Sequence, residues 1–302
     1  MDLEMTKRLG GMYAALLTAM DKDGAFSPER QRALNTYVLS QGLNGLYVAG
    51  SSGESGLLES AALSDQLGIV AEDARGHDAT LIAHVGLPSL AHSIALARRA
   101  ESLGYHALSA LPPHSYPFSD DEIFAYYEAL SEATALPLIV YEIPVRTGRP
   151  LPFDLLVRIL DLRGVAGLKF SSMDLFKFAS LRRARPESVF YFGFDEVYAA
   201  AATLGSDGGI GTTYNLLGRL YVEIANAIER SDIARARELQ GISQQFVEIL
   251  AEVGVMPGVK AAFRLHGIDI GPSRAPMALH GRDPEARIAA FLKRPEVAKW
   301  LG

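Results

Sequence analysis

Residues 165–172 read Val-Ala-Gly-Leu-Lys-Phe-Ser-Ser, an almost continuous apolar run that predicts a buried β-strand. Alternate side chains of a strand point to opposite faces, so Gly167, Lys169 and Ser171 share one face and apolar side chains form the other. Strands of this kind, each followed by a helix, form parallel sheets whose outer face is covered. The stretch therefore predicts an α/β protein with a parallel sheet.

Lys169 is the unusual residue of this strand. The chain has seven lysines, and only Lys169 lies within a strand-like apolar run. Burial of an unpaired ammonium is costly, and it lowers the pKa toward a neutral, nucleophilic amine. Such an amine attacks a carbonyl carbon to form a Schiff base. A structural lysine that pairs with a carboxylate, or extends to solvent at the strand end, is the alternative interpretation.

Similar apolar runs, separated by amphipathic helical stretches, recur along the chain. The eight predicted strands are residues 11–18, 45–50, 80–86, 107–113, 137–144, 165–172, 189–196 and 208–215. Eight parallel strand–helix units close into a (β/α)8 barrel, also called a TIM barrel. An open, doubly wound sheet is the alternative, but the first strand lacks the Gly-x-Gly-x-x-Gly motif of that fold.

The C-terminal part of the chain departs from this alternation. Beyond about residue 217 the pattern is helical only. The amphipathic stretches are residues 233–253, 257–265 and 283–300. We therefore predict a (β/α)8 barrel over residues 8–230 and a helical extension over residues 231–302 that packs on the barrel.

Composition excludes several classes of function. The 302 residues are 49% hydrophobic and 21% charged, and the net charge of −6 offers no attraction to nucleic acid or an anionic membrane. The chain has no cysteine, and its seven histidines show no metal-ligand spacing, so no metal is expected. No apolar run reaches about 18 residues, and residues 1–6 lack the apolar core of a signal peptide. A cytoplasmic protein is expected.

The active site of a (β/α)8 barrel lies at the C-terminal ends of its strands, and polar residues gather there in this chain. They are Ser51, Ser52, Tyr141, Lys169, Ser171, Gly193, Asp195, Glu196 and Thr212. Ser51 and Ser52 suit a carboxylate, although a plain serine-glycine turn is the alternative. The phenol of Tyr141 suits proton transfer, although a packed strand aromatic is the alternative.

Two further strand ends bear on the substrate. Asp195 and Glu196 are adjacent, and because successive strand residues point apart we interpret them as acceptors for substrate hydroxyls, not as a paired acid and base. Glycines 208, 209 and 211 are typical of a phosphate-binding loop, but no lysine or arginine accompanies them. A neutral polyol is therefore favoured over a phosphorylated substrate.

Five motifs occur in a fixed order along the chain. They are GSSGE at 50–54, YEIPVRTG at 141–148, GLKFSS at 167–172, GFDE at 193–196 and GGIGTTYN at 208–215. From about residue 11 to about residue 276 the chain resembles the dihydrodipicolinate synthase and N-acetylneuraminate lyase superfamily of pyruvate-dependent class I aldolases. GFDE and DGGIGTTYN, with SYPFS at 115–119, are most similar to the N-acetylneuraminate lyase branch.

The resemblance implies a reaction and the residues that perform it. It implies that Lys169 forms a Schiff base with the 2-oxo carbon of a small 2-oxo acid, and that Tyr141 is the acid/base at the bond that breaks. Ser51 and Ser52 would bind the carboxylate. The residues implied to line the sugar-chain pocket are Ser171, Gly193, Asp195, Glu196 and Thr212. The implied reaction is cleavage of N-acetylneuraminate to N-acetylmannosamine and pyruvate, without a cofactor, by a homotetramer.

Three positions differ from the lyase pattern. Ser52 stands where threonine is more frequent, which keeps the hydroxyl. Arg146 stands where an arginine of the synthase branch binds a second carboxylate, so a dihydrodipicolinate synthase-like reaction or a 2-keto-3-deoxy sugar acid aldolase or dehydratase remains an alternative. Ser115 stands where a tyrosine commonly relays protons, in the synthase branch across a subunit interface. Its absence leaves a non-catalytic barrel that binds a 2-oxo acid as a second alternative.

Overall fold

The computed structural model describes residues 8–302, so the prediction about a signal peptide at residues 1–6 lies outside the described residues. Eight parallel strands form a closed barrel in sequence order, and the last strand pairs with the first. The strands are β1 Gly11–Ala15, β2 Gly45–Val48, β3 Thr80–His84, β4 Ala107–Ala110, β5 Leu138–Glu142, β6 Val165–Phe170, β7 Val189–Phe192 and β8 Gly208–Gly211. The predicted (β/α)8 barrel is confirmed, and the open sheet is excluded.

Each strand ends earlier than its apolar run predicts. The difference is largest, at four residues, for β7 and β8, which end at Phe192 and Gly211 where the predictions extend to residues 196 and 215. Beyond β7, residues Asp195–Val197 form a 3₁₀ helix, and Ser51–Gly53 does the same after β2. The polar residues at the strand ends leave the hydrogen-bond ladder, so their side chains lie in loops above the barrel.

Helices follow the strands and surround the barrel. They are α1 Pro28–Leu39, α2 Ser60–Asp73, α3 Leu90–Ser102, α4 Asp120–Ser131, α5 Pro144–Thr147, α6 Phe153–Leu160, α7 Leu175–Ala184, α8 Tyr198–Thr203 and α9 Tyr214–Glu229. Local sequence explains several starts. Before α4, Ser119 and Glu122 form the capping box that their spacing indicates, and Ser27 caps α1 by accepting from the Arg30 N–H.

The alternation of each strand produces two hydrophobic cores. The inner core fills the barrel with side chains such as Tyr13, Tyr47 and Tyr191, all of which are fully buried. The outer core lies between strands and helices and includes Leu168 and Phe170, which flank Lys169 in β6. The prediction that these two side chains point away from the lysine is confirmed, and Lys169 faces the barrel interior.

The C-terminal region is helical, as predicted. Its helices are α10 Ile233–Val253, α11 Val255–Leu265, α12 Pro284–Leu292 and α13 Pro295–Ala298. The predicted boundary after residue 230 falls in the turn between α9 and α10, and the division into two domains stays a prediction. Within residues 8–302, no helix combines the length and apolar character needed to cross a membrane.

Candidate active site

A cavity of about 210 Å³, here called the inner pocket, opens above Lys169 at the C-terminal ends of the strands. Nine of the predicted site residues line it, namely Ser51, Ser52, Tyr141, Arg146, Lys169, Gly193, Asp195, Glu196 and Thr212. The tenth, Ser171, lies directly behind Gly193. Val247 and Leu250 of α10 and Val255 of α11 complete the wall, which the sequence did not indicate.

Lys169 is buried, and among residues 8–302 it has no charged partner in contact. Only 3% of the residue is exposed, and Nζ lies 4.0 Å from the centre of the Tyr47 ring and 4.1 Å from that of Tyr141. Within the described chain, no carboxylate lies within 4.0 Å of Nζ. Burial lowers the pKa of Lys169 to about 7, with the Asp195 carboxylate opposing this effect and Arg146 adding to it. A large fraction of the amine is therefore neutral at physiological pH.

Lys260 shows what a structural lysine looks like in the same protein. It lies on α11 and is as buried as Lys169, but its Nζ contacts Glu54 at 2.6 Å and donates to the Pro272 carbonyl at 2.9 Å. Burial lowers the pKa of Lys260 too, and the Glu54 carboxylate counteracts it. The Lys260 ammonium is therefore paired with a buried carboxylate, whereas the Lys169 amine has no such partner among residues 8–302.

Tyr141 is held beside the lysine by strand register. In the β5–β6 ladder Tyr141 pairs with Lys169, so the two side chains enter the barrel side by side. Burial raises the pKa of the Tyr141 phenol, and the hydroxyls of Ser171 and Ser51, with the charge of Arg146, oppose that rise. The phenol lies next to the amine and to hydroxyls, which is an arrangement suited to proton transfer.

Gly193 makes room for the reactive end of the lysine. A Cβ atom at this position would lie 1.9 Å from Ser171 Oγ and 3.3 Å from Lys169 Cε. The Ser171 hydroxyl is buried and has no hydrogen-bond partner among residues 8–302. Glycine at the end of β7 therefore allows a close approach that any side chain would block.

The loop after β2 is held in a strained but well-supported conformation. Ala49 and Glu54 both have φ of 61°, in the left-handed region. The Ser52 and Thr212 hydroxyls are 2.6 Å apart and either can donate, which links the ends of β2 and β8. The Arg274 N–H donates to Glu54 Oε2 at 2.7 Å. These contacts fix Ser51 and Ser52 at the rim of the inner pocket.

Asp195 lines the inner pocket, and one of its carboxylate oxygens is held by Thr213. Its Oδ2 accepts from the Thr213 backbone N–H at 2.7 Å and from the Thr213 hydroxyl at 2.6 Å. Burial raises the pKa of Asp195 to about 6, while Thr213 and Lys169 oppose the rise. Among residues 8–302 no donor contacts Oδ1, which leaves it available to a ligand. Glu196 follows in the same 3₁₀ helix and is half-buried.

Arg146 lies at the rim of the inner pocket, between it and a larger outer basin. The outer basin has a volume of about 820 Å³ and shares Ser51, Val145 and Arg146 with the inner pocket. Arg146 is exposed, and in the described part of the chain it forms no ion pair within 4.0 Å. Ser115 lines the outer basin and not the inner pocket. The Ser115 hydroxyl is therefore not beside Lys169.

Three polar or aromatic residues of the site were also missed from the sequence: Tyr47, His84 and Thr213. The His84 ring accepts from the Leu111 N–H through Nε2 at 3.4 Å, so its Nδ1 donates to the Ala49 carbonyl at 3.1 Å. Burial, with the charge of Lys169, lowers the pKa of His84 to about 3. The neutral imidazole therefore holds the carbonyl of Ala49, the residue with a left-handed backbone that precedes Ser51 and Ser52. Tyr47 could have been found from the sequence, because the alternation of inward and outward side chains along β2 places it in the barrel interior.

Comparison with known proteins agrees with this geometry. The model of the dihydrodipicolinate synthetase family matches residues 8–294. N-acetylneuraminate lyase from Rhizobium meliloti (strain 1021) is 40% identical over 285 residues, which cover 94% of this chain and 93% of that protein. N-acetylneuraminate lyase from Fusobacterium nucleatum, solved in complex with pyruvate, is 29% identical with a TM-score of 0.90, and the match covers 98% of both chains.

A second solved structure, the catalytic lysine mutant of Ruminococcus gnavus sialic acid aldolase, is 28% identical with a TM-score of 0.92. The match covers 100% of this chain and 99% of that chain. The resemblance inferred from the five motifs is confirmed by these relatives and by the family model. The chain belongs to the dihydrodipicolinate synthetase family.

Proposed function

We propose that the protein is a class I aldolase that cleaves N-acetylneuraminate to N-acetylmannosamine and pyruvate through a Schiff base on Lys169. The observation that carries the proposal is the buried, unpaired amine of Lys169, whose pKa of about 7 makes it nucleophilic at physiological pH. The names of the relatives, N-acetylneuraminate lyase and sialic acid aldolase, support this choice of substrate.

The first step is attack of the neutral Lys169 amine on C2 of the open-chain substrate. Loss of water from the carbinolamine gives a protonated imine, which withdraws electrons from C2. Tyr141 gives its phenol proton to the departing hydroxyl of the carbinolamine, and the resulting phenolate then takes the proton of the C4 hydroxyl as the C3–C4 bond breaks. The new positive charge forms about where Nζ lies, 4.1 Å from the Tyr141 ring centre, and it favours the phenolate against the effect of burial. Water finally releases pyruvate from the enamine, after the enamine carbon is protonated.

The two halves of the substrate match two sides of the inner pocket. The carboxylate binds at Ser51 and Ser52, on the loop that Glu54 and Arg274 support. The hydroxyl-bearing chain binds where Asp195 lines the inner pocket and offers a carboxylate as acceptor. The other residues proposed to contact this chain are Ser171, Gly193, Glu196 and Thr212.

A second candidate is supported by Arg146. Its exposed guanidinium at the rim of the inner pocket suits a substrate with a second acidic group, as in a dihydrodipicolinate synthase-like reaction. A 2-keto-3-deoxy sugar acid is the other alternative. A non-catalytic barrel is disfavoured because the lysine, the tyrosine and both serines are present together. The homotetramer and the cytoplasmic location stay predictions.

The decisive experiment is reductive trapping of the protein with pyruvate and borohydride, followed by mass spectrometry of the peptide that carries Lys169. We expect the pyruvyl adduct on Lys169 and none on Lys260, which serves as the buried internal control. Lys169→Ala should fold, form no adduct and lose pyruvate release from N-acetylneuraminate. A folded wild-type protein without the adduct would overturn the class I mechanism.

Substrate choice is tested separately with Arg146→Ala. N-acetylneuraminate cleavage should decrease less than fivefold in this variant, since the proposed contacts to that substrate lie deeper in the inner pocket. If wild type instead condenses pyruvate with an acidic aldehyde, does not cleave N-acetylneuraminate, and loses the condensation in Arg146→Ala, the second candidate is correct.

A further inference from the structure

A ring of close polar contacts joins the side chain of Asp195 to the carbonyl oxygen of the same residue. Asp195 Oδ2 contacts Thr213 Oγ1 at 2.6 Å, which contacts the Tyr221 hydroxyl at 2.6 Å. The Tyr221 hydroxyl contacts Ser243 Oγ at 2.7 Å, and Ser243 Oγ reaches the Asp195 carbonyl at 3.2 Å. All four residues are buried, so water does not compete with the ring.

Helix α10 holds the backbone of the same segment from outside the inner pocket. The Gln240 side-chain amide donates to the Asp195 carbonyl at 2.9 Å, and its oxygen accepts from the Ala199 N–H at 2.8 Å. The Gln244 amide donates to the Glu196 carbonyl at 3.0 Å. The C-terminal extension therefore contacts the main chain of both acidic residues.

The directions of the hydroxyl protons follow from counting them. Thr213, Tyr221 and Ser243 have one hydroxyl proton each. When Asp195 is ionised, Ser243 donates to Tyr221, Tyr221 to Thr213, and Thr213 to Oδ2. Gln240 then satisfies the Asp195 carbonyl alone. Every hydroxyl dipole points toward the carboxylate, which holds Oδ2 in place and leaves Oδ1 without a donor among residues 8–302.

We propose that Tyr221 and Ser243 are positioning residues, which orient Asp195 for recognition of the substrate hydroxyls. Neither side chain lines the inner pocket, so each acts through Thr213 and Asp195 and not by touching the substrate. The inference rests on the proposed function, and it assigns to α10 a part in selecting the polyhydroxy half of the substrate. Ser51 and Ser52, which bind the pyruvate half, are not members of this ring.

Tyr221→Phe tests the proposal because it removes the central hydroxyl and keeps the ring stacked on Tyr214 at 3.9 Å between ring centres. Loss of one buried hydrogen-bonded link is expected to raise KM for N-acetylneuraminate about tenfold and to change kcat less than twofold. Ser243→Ala should act in the same direction with a smaller effect. The rate of reductive trapping with pyruvate should equal that of wild type in both variants.

Tyr105→Phe is the matched control. The Tyr105 hydroxyl is also buried and donates to a single carbonyl, that of Leu67 at 3.0 Å, away from the inner pocket. Its removal should leave KM unchanged. The proposal is overturned if Tyr221→Phe and Tyr105→Phe have the same KM, or if pyruvate trapping by Tyr221→Phe slows together with cleavage. A wild-type protein that forms the pyruvate adduct but does not cleave N-acetylneuraminate would overturn the proposed function itself.

Discussion

Lys169 and Lys260 are equally buried, yet their surroundings give them different chemistry. Lys260 has a carboxylate 2.6 Å away, whereas Lys169 Nζ lies over the rings of Tyr47 and Tyr141 and has no carboxylate within 4.0 Å among residues 8–302. Aromatic rings stabilise a cation much less than a carboxylate does, so desolvation dominates at Lys169 and lowers its pKa to about 7. The absence of a counter-ion is therefore what makes this lysine a nucleophile.

The rate of imine formation with pyruvate should depend on pH through Lys169. Only the neutral amine attacks, so the rate should rise with a single ionisation near pH 7 and reach a plateau about one unit above it. Trapping with cyanoborohydride at a series of pH values measures this. The Asp195 carboxylate raises the pKa of Lys169, so Asp195→Asn should move the midpoint to lower pH. A midpoint above pH 9 would contradict the environment described here.

Lys169→Met should be more stable than wild type. The folded state holds Lys169 at a pKa of about 7 and the unfolded state near 10.5, so the unfolded state binds more protons between these values. The buried amine therefore lowers the free energy of unfolding most below pH 7, and this destabilisation decreases as pH rises toward 10.5. We expect the free energy of unfolding to increase by about 2 to 4 kcal/mol near pH 6, and by less at pH 9. Urea titrations at both pH values measure it, and a gain that grows with pH would disprove this account.

At the scale of elements, the strands fix the position of the inner pocket, and the segments that follow the strands supply most of its polar side chains. The register of β5 and β6 places Tyr141 beside Lys169, and the early end of β7 lets Asp195 and Glu196 turn into a 3₁₀ helix. Gly193 lies where the backbone passes close to the Ser171 hydroxyl. Small geometric requirements at strand ends therefore decide what the inner pocket can hold.

Gly193→Ala tests how tightly the end of β7 is packed. The added methyl would lie 1.9 Å from Ser171 Oγ and 3.3 Å from Lys169 Cε, so the Ser171 hydroxyl must rotate away and the lysine side chain must give way. We expect kcat/KM to fall by about 100-fold and stability to decrease by about 1 to 3 kcal/mol. Steady-state kinetics and urea denaturation measure the two effects.

Gly241→Ala is the control for that substitution. Gly241 lies within α10, and a Cβ atom there meets nothing within 4 Å. Activity should be unchanged, and stability should rise by about 0.5 to 1 kcal/mol because alanine favours the helix. If Gly193→Ala were as active as Gly241→Ala, the close packing around Lys169 would not matter for the reaction.

At the scale of the whole molecule, the C-terminal helices support both sides of the inner pocket. Lys260 on α11 pairs with Glu54, which follows Ser51 and Ser52 in the loop after β2, and Gln240 on α10 donates to the Asp195 carbonyl. Val247 and Leu250 of α10 also form part of the pocket wall. The extension is therefore joined to the site by a buried ion pair, hydrogen bonds and apolar contact, and not only by packing on the outer helices.

Lys260→Met should destabilise the protein strongly. It leaves the buried Glu54 carboxylate without its counter-ion, which costs about 3 to 5 kcal/mol. Glu54→Gln combined with Lys260→Met should recover most of that loss, since no charge then remains buried. Urea denaturation of the two single variants and the double variant measures the coupling.

An exposed ion pair supplies the comparison. Arg264 and Glu285 join α11 to α12 at 2.5 Å, and both side chains are more than 40% exposed. Arg264→Ala should cost less than about 1 kcal/mol. Equal losses for Lys260→Met and Arg264→Ala would mean that the buried pair contributes nothing beyond a surface contact.

The sequence by itself determined the eight strands, the barrel and the residues at the strand ends, because apolar runs and turn residues are local signals with a fixed period. It also singled out Lys169, since a charge inside an apolar run is conspicuous. Only the tertiary structure decided that Lys169 lacks a counter-ion while Lys260 pairs with Glu54, and that Tyr221 and Ser243 reach Asp195. These contacts join residues from 8 to more than 200 positions apart, so they depend on how the elements pack and leave no periodic signal along the chain.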